Sequence, residues 1–399
     1  MKVLFIGTTD ILGGAAKVSW ELKSYLEAHG HETAMFVADK RSDDRKVRII
    51  PRQTWRKYLG LLLATESLIS TDWILDTPEF KGADVIHCHN LHGRFFNLKT
   101  LERMSALKPV VWTLHDEWAL TPHCAYTLEG TGMKNGLYVC PSIDVAPRIL
   151  WDNSRRLAAW KNGIYEKIRV TLVTPSRWLE DRTRKTTLGT QDIRLIANGI
   201  DTSRFVQSDK GGARAKLGLP LDKKIILFLA VDAKANTWKG WKHTERIIES
   251  YRDRSDILFL SVGNLTQHES RGNVRHTGHV SDVETLALYY SSADALLFTS
   301  IAENFPLVIL EAMSCGLPIA AFDVGGVKEA LEHKINGFVA PYEDTTALSK
   351  GLEWILSLTE SEQKTLSNAS TQKARTRYDI SHMTDAYMSL YQELIAKNQ

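Results

Sequence analysis

Glu303 and Glu311 stand eight residues apart, on either side of the run Asn304-Phe305-Pro306-Leu307-Val308-Ile309-Leu310. Proline suits the first turn of a helix, so Glu303 falls in the loop before the helix and Glu311 about two turns inside it. The backbone N–H groups of Asn304, Phe305 and Leu307 would then surround the positive helix end, where an anion is favoured. That arrangement suits a pyrophosphate at the helix start and ribose hydroxyls on the carboxylate within. A surface helix with two solvated glutamates is the plainer alternative, but Leu307-Val308-Ile309-Leu310 is too apolar for full exposure.

A second phosphate-compatible segment is Gly7-Thr8-Thr9-Asp10-Ile11-Leu12-Gly13-Gly14-Ala15-Ala16. Paired glycines where a strand gives way to a helix let a phosphate approach the backbone. The dinucleotide fingerprint G-x-G-x-x-G is absent, which argues against a dehydrogenase. A third cluster is His87-Cys88-His89-Asn90-Leu91-His92. It reads as a zinc site, as polar residues lining a cleft, or as plain structure. His87 and His89 point the same way along a strand, and His115-Asp116 lies within reach. No two aspartates have D-x-D spacing, which disfavours sugar transfer that depends on a metal held by paired carboxylates.

The elements that must position these groups follow from a repeated alternation of short β-branched runs and longer amphipathic ones, the pattern of parallel α/β sheets. In the first half the strand-like runs are Val3–Ile6, Thr33–Val37, Val85–Cys88, Val110–Leu114, Val170–Val173 and Ile193–Ile196. The helix Ala15–His29 puts Val18, Leu22, Tyr25 and Leu26 on one face. The second half restarts the rhythm with strands Ile225–Leu229, Ile257–Val262, Ala295–Thr299 and Pro318–Phe322, and with helices Lys242–Tyr251, Asp282–Ser291 and Pro306–Ser314. The turn Asn198-Gly199-Ile200-Asp201 lies between the halves. The chain of 399 residues exceeds what one hydrophobic core usually supports. Two domains are therefore expected, 1–199 (plus about 380–399) and 200–379, with closing helices at Ser361–Arg377 and Met383–Ala396.

A formal net charge of +3 is too small for a general nucleic-acid binder. The apolar run Leu59-Gly60-Leu61-Leu62-Leu63-Ala64 is too short to span a bilayer, and the start of the chain reads as a buried strand rather than a signal peptide. The four cysteines, Cys88, Cys124, Cys140 and Cys315, are too few and scattered for a disulfide framework. They are expected as free thiols in a cytoplasmic protein. Residues 40–57 gather eight Lys and Arg against two Asp and lead into Trp55, Tyr58 and Leu61–Leu63. A second basic, Trp-bearing helix is expected over Arg148–Arg169. These stretches suit either a solvated face or peripheral docking of residues 40–63 on an anionic membrane surface.

The block Glu303–Pro318 resembles the E-x7-E motif of glycosyltransferase family 4, retaining enzymes of the GT-B fold. The continuation Ala312-Met313-Ser314-Cys315-Gly316-Leu317-Pro318-Ile319, with Gly325-Gly326 and Asn336-Gly337-Phe338-Val339, is similar to the same family, as is Asn198-Gly199-Ile200-Asp201. The resemblance implies an α/β GT-B architecture: two Rossmann-like domains facing a central cleft, with the C-terminal helix crossing back to the N-terminal domain. It implies a nucleotide-sugar donor, UDP- or GDP-linked, a glycan or lipid-linked acceptor, no metal or other cofactor, and a place in bacterial surface-polysaccharide synthesis. It also implies roles by position. Gly13 and Gly14 line the diphosphate and the sugar; Lys239, in Trp238-Lys239-Gly240, binds the diphosphate; and Val280, in Gly278-His279-Val280, meets the base. Glu311 takes the ribose, Glu303 lies near the donor sugar, and His115 stands beside the reaction centre. Asn304, Phe305, Pro306 and Leu307 frame the pyrophosphate, while His89 and Asn90 face the acceptor. Apart from the resemblance, the glycine-bearing loop His123–Cys140, with Trp118 just before it, is expected to shape an acceptor pocket. The family usually carries an arginine shortly before the lysine; here Lys234 is the only cation in Ala230–Thr237, and it offers a point charge rather than a bidentate fork. A GT-B sugar-nucleotide epimerase and a non-catalytic carbohydrate-binding protein are the alternative readings.

Overall fold

The computed structural model describes all residues except Arg52, 230–236, 264–269, Ser281 and Gln399, together with the side chains of Ser270 and Arg271. The chain divides into two compact units, Met1–Asn198 with Met383–Gln399, and Gly199–His382.

The N-terminal unit is built on strands β1 (Lys2–Thr9), β2 (Glu32–Asp39), β3 (Val47–Ile49), β4 (Val85–Cys88), β5 (Val110–Thr113), β8 (Thr171–Thr174) and β9 (Asp192–Leu195); β6 (Met133–Lys134) and β7 (Leu137–Tyr138) form a separate hairpin. The main sheet runs in the order β3-β2-β1-β4-β5-β8-β9, with every pairing parallel. Helices cover both faces of such a sheet, so its strands are apolar throughout; Val3, Leu4, Phe5 and Ile6 are all essentially buried. The helix Gly14–Ala28 turns Val18, Leu22 and Leu26 inward. The short strand β3 was not legible because only Val47 of its three residues is buried.

The second unit repeats the plan with β10 (Lys224–Leu229), β11 (Ile257–Val262), β12 (Ser270–Arg271), β13 (Val274–His276), β14 (Ala295–Phe298), β15 (Ile319–Phe322) and β16 (Phe338–Ala340). The sheet order is β12-β13-β11-β10-β14-β15-β16, parallel except for β12 against β13. In each unit the order reverses beside the first strand, between β1 and β4 and between β10 and β14. Open parallel sheets take ligands at the carboxyl ends of the strands at such a reversal.

The closing helix Ile380–Asn398 buries Met383, Tyr387, Leu390 and Tyr391 in the N-terminal unit. The Tyr391 hydroxyl lies 2.6 Å from His87 Nδ1, His87 Nε2 lies 2.8 Å from Thr113 Oγ1, and the Tyr387 hydroxyl lies 2.8 Å from the same Thr113 oxygen. Every polar group in this buried chain therefore has a partner.

Two expectations need correction. Cys124 and Cys140 are joined in a disulfide, with Cα atoms 5.8 Å apart, while Cys88 and Cys315 are buried thiols. Separation along the sequence misled because the hairpin β6–β7 folds the intervening chain back on itself. The basic helix expected over 148–169 is confined to Ser154–Tyr165; the preceding Pro147 and the polar turn at Asp152-Asn153 delay its start.

The C-terminal unit is pinned at the entrance to β10. Asp294, 7% exposed, accepts from Arg214 Nη2 at 2.7 Å, from Lys210 Nζ at 2.8 Å and from the Ile225 amide at 2.7 Å. Burial pushes its carboxyl upward, but these donors reverse the effect and hold it below its ordinary value. Replacing Asp294 with Ala strands the buried Arg214 charge. Urea denaturation is expected to show a loss of roughly 3–5 kcal/mol, with Asp294→Asn losing less.

Candidate active site

In the C-terminal unit, Lys239 Nζ lies 2.7 Å from Glu303 Oε1. The two residues come from loops that follow neighbouring parallel strands, β10 and β14, at the reversal of strand order. Several backbone contacts fix the approach. The Ile301 amide donates to the Trp238 carbonyl at 2.8 Å, and Thr299 Oγ1 donates to the Lys239 carbonyl at 2.9 Å. Gly240 has φ +67°, and a Cβ there would fall on the Thr299 carbonyl oxygen. On the other side of Glu303, Gly325 has φ +54° and leaves no room for a Cβ against the Glu303 carbonyl, while the Gly326 amide donates to the Asn304 carbonyl at 2.7 Å. Glycines at 240 and 325 are therefore demanded by close backbone approach.

The helix after this loop is Leu307–Ser314, with Pro306 at its cap and no side-chain capping bond. Asn304 and Phe305 are buried, and Phe305 meets Tyr378 edge-on at 5.4 Å. Glu311 is 2% exposed, and its Oε2 accepts from the Tyr290 hydroxyl at 2.7 Å. Val280 is half-buried in the loop after β13. Lys234 lies outside the described residues.

In the N-terminal unit, Gly13, in the loop after β1, and Gly14, the first residue of the following helix, are exposed. Gly13 has φ +92° and open space where a Cβ would stand. The loop is tethered by Asp10, which the sequence reading passed over. This fully buried carboxylate accepts from the amides of Ile11, Arg41 and Ser42 at 2.8–3.0 Å. Burial raises its pKa, but the hydrogen bonds win and the carboxyl stays below its ordinary value. An aspartate three residues before the Gly13-Gly14 pair was the available signal.

His115 follows β5, and its Nε2 lies 2.8 Å from Nδ1 of His89, which follows β4. The rings stack with centroids 5.1 Å apart, while His89 meets His87 at a tilt of 35° with centroids 4.2 Å apart. His92 Nε2 pairs with Asp116 Oδ2 at 2.9 Å. The histidines thus engage different partners, and among the described residues no group of three or more His, Cys, Asp or Glu has metal-binding geometry. Burial is the leading cause that holds His115 down to about 4 and His87 and His89 well below the usual range. All three are neutral at pH 7. Asn90 is half-buried. His89 and Trp118, expected to face an acceptor, are each only 2% exposed. Trp118 lies beneath the Lys161 ammonium at 3.6 Å, and that ammonium donates to the Trp118 and Thr121 carbonyls. Trp118 therefore belongs to the core, where it caps a buried cation.

Residues 12–204 match the family model described as Glycosyltransferase Family 4, and residues 209–372 match the model described as Glycosyl transferases group 1. The chain is 29% identical over 328 residues to the putative colanic acid biosynthesis glycosyl transferase WcaC of Escherichia coli K12, covering 78% of this chain and 77% of that protein. Sucrose-phosphate synthase from Thermosynechococcus elongatus superposes with a TM-score of 0.73 at 20% identity, over 99% of both chains. Anabaena HepE in complex with UDP-glucose superposes with a TM-score of 0.68 at 18% identity, over 99% of this chain and 100% of that one. These neighbours share the fold, two Rossmann-like domains of the GT-B type. Among the described residues no helix is long and apolar enough to cross a membrane.

The buried histidines have a measurable cost in acid. Their folded pKa values lie below the unfolded value of 6.5, so the unfolded chain binds more protons and stability rises with pH. The contribution is whole above about pH 6.5 and is lost as the pH falls towards 4. For His115 alone it amounts to roughly 3 kcal/mol. Urea titrations followed by tryptophan fluorescence between pH 7 and 4.5 should show this decline, and it should be shallower in His115→Asn.

Proposed function

Because this chain is a glycosyltransferase of the group 1, family 4 kind, we propose that it transfers a sugar from a nucleoside-diphosphate sugar, UDP- or GDP-linked, to a glycan or lipid-linked acceptor, with retention of anomeric configuration. The observation that carries this reading is the Lys239–Glu303 pair, held at the strand-order reversal beside the uncapped start of helix Leu307–Ser314. A diphosphate there would be met by an ammonium and by the positive helix end. The UDP-glucose complex of HepE supports the donor class, and the putative role of WcaC in colanic acid biosynthesis supports a place in glycan assembly.

In this reading the bond between the anomeric carbon and the phosphate oxygen breaks as positive charge grows on the sugar ring. The leaving diphosphate takes the electron pair, and Lys239 and the helix amides stabilise it as preorganised charges. Glu303 holds the lysine at its post and lies near the sugar. The acceptor hydroxyl adds on the same face, and its proton passes to the departing phosphate oxygen. In the N-terminal unit, the Gly13-Gly14 turn offers a ligand close access to backbone, and neutral His115 offers a hydrogen bond to a sugar hydroxyl. Protein side chains and backbone suffice for each step, without a metal.

Thermal-shift screening of nucleoside diphosphates identifies the base, because a specific ligand raises the apparent stability. With donor and acceptor in hand, Lys239→Ala is expected to lower kcat by about 100- to 1,000-fold, the loss typical of one oxyanion-stabilising donor. His115→Ala is expected to lower it by about 100-fold with little change in nucleoside diphosphate affinity. NMR of the first-formed product should show the donor's own anomer. Full transfer rates in both variants, or an inverted product, would refute the proposal.

A further inference from the structure

One face of the N-terminal unit takes no part in this chemistry. The helix Thr54–Leu62 leaves Trp55, Tyr58 and Leu62 between 61% and 68% exposed, and Leu63 follows at 45%. Leu150 and Trp151, distant in sequence, are also exposed and join the same surface. The Trp151 indole N–H donates to the Leu62 carbonyl at 2.9 Å, and Asn153 Nδ2 donates to the Ala64 carbonyl at 3.0 Å. Ala64, Ile149 and Leu157 form a small core that rivets the two segments together. A contiguous exposed apolar surface of this kind marks a docking site.

The charges around it are lopsided. Lys57, Arg148, Arg155 and Arg156 are exposed, and Arg56 lies over the Trp55 ring at 5.2 Å. The acidic Asp152 in this segment is occupied by the Ser154 amide. By contrast, cations earlier in the basic stretch are spent elsewhere: Lys46 pairs with Glu27, and Arg48 pairs with Glu79. The docking face therefore comprises residues 54–63 with 148–156, rather than the whole of 40–63.

Under the helix lies a cavity of about 360 Å³, lined by Thr54, Lys57, Tyr58, Arg94 and Phe95 among others. Arg94 holds φ +59° directly after Gly93 at +101°, a left-handed conformation that a side chain adopts only under constraint. Its Nη2 donates to the Arg148 carbonyl at 2.7 Å, which fixes the guanidinium at the cavity wall. Asp39, the carboxylate on the same wall, is already bound by Arg41 Nε at 2.8 Å. The cavity thus presents cationic side chains beneath an aromatic rim.

We propose that this face docks on an anionic phospholipid bilayer and that the cavity receives a lipid phosphate between Lys57 and Arg94. Cations beside an aromatic and aliphatic surface fit the boundary between headgroups and acyl chains, and the excess positive charge selects anionic lipid. The proposal rests on the N-terminal unit alone and requires no sugar transfer.

The test is co-sedimentation of the full chain with vesicles of phosphatidylcholine alone or mixed with phosphatidylglycerol. Binding is expected only to the mixed vesicles, falling as salt rises. Trp55→Ser and Trp151→Ser, both at exposed positions, should each lower the bound fraction several-fold, and Lys57→Gln should do the same. Arg94→Gln, checked for folding by its melting temperature, should weaken binding to mixed vesicles most. Inorganic phosphate at millimolar concentration should neither compete nor raise the melting temperature, because a free anion lacks the apolar half of the contact. Equal binding to neutral vesicles, no binding to either, or unchanged binding in the tryptophan variants overturns the proposal. So does displacement by free phosphate, or self-association through this face in light scattering.

Discussion

The ammonium of Lys239 meets the carboxylate of Glu303 because two backbones approach more closely than any side chain would allow. Gly240 rests against the Thr299 carbonyl and Gly325 against that of Glu303, so the loop after β14 is clamped from both sides. The pair itself is only partly shielded, with Lys239 37% exposed, and a surface ion pair contributes little to stability. Its value is positional. The clamp keeps a cation and an anion fixed beside a helix start, so that an incoming charged ligand finds its partners already oriented and loses little in arranging them.

The same rule shapes the N-terminal unit with different chemistry. There the strand reversal carries an exposed glycine turn tied down by the buried Asp10, and a cluster of imidazoles kept neutral by burial. One unit offers fixed charge and the other fixed neutral dipoles. Both put them at the carboxyl ends of parallel strands, where loops are free to vary while the sheet stays rigid.

Much of this was legible in the sequence because parallel strands buried on both faces leave apolar runs such as Val3–Ile6, which few other structures produce. Glu303 and Lys239 were legible through the motifs around them, although their mutual contact was not, since it depends on the positive φ of Gly240. Short edge strands such as β3 escaped notice, because one buried residue gives no period to read. The disulfide Cys124–Cys140 escaped for a different reason: pairing is set by a hairpin of weak propensity rather than by spacing. Trp118 was misplaced because a tryptophan beside a polar motif looks the same whether it lines a surface or caps a buried lysine. The apolar face built from residues 54–63 and 148–156 was half visible, and its second half required the contact between Trp151 and Leu62.

The closing helix has a further consequence for how the molecule is made. His87 and Thr113 lie in the heart of the first sheet, yet their hydroxyl partners are Tyr391 and Tyr387. A ribosome delivers those tyrosines some 300 residues after the histidine. Through most of synthesis the His87–Thr113 pair at the centre of the first sheet thus lacks these two hydroxyl partners. The second unit, whose segments are contiguous from Gly199 to His382, has all of its own partners before the first does, so translation order and the order of completion are reversed.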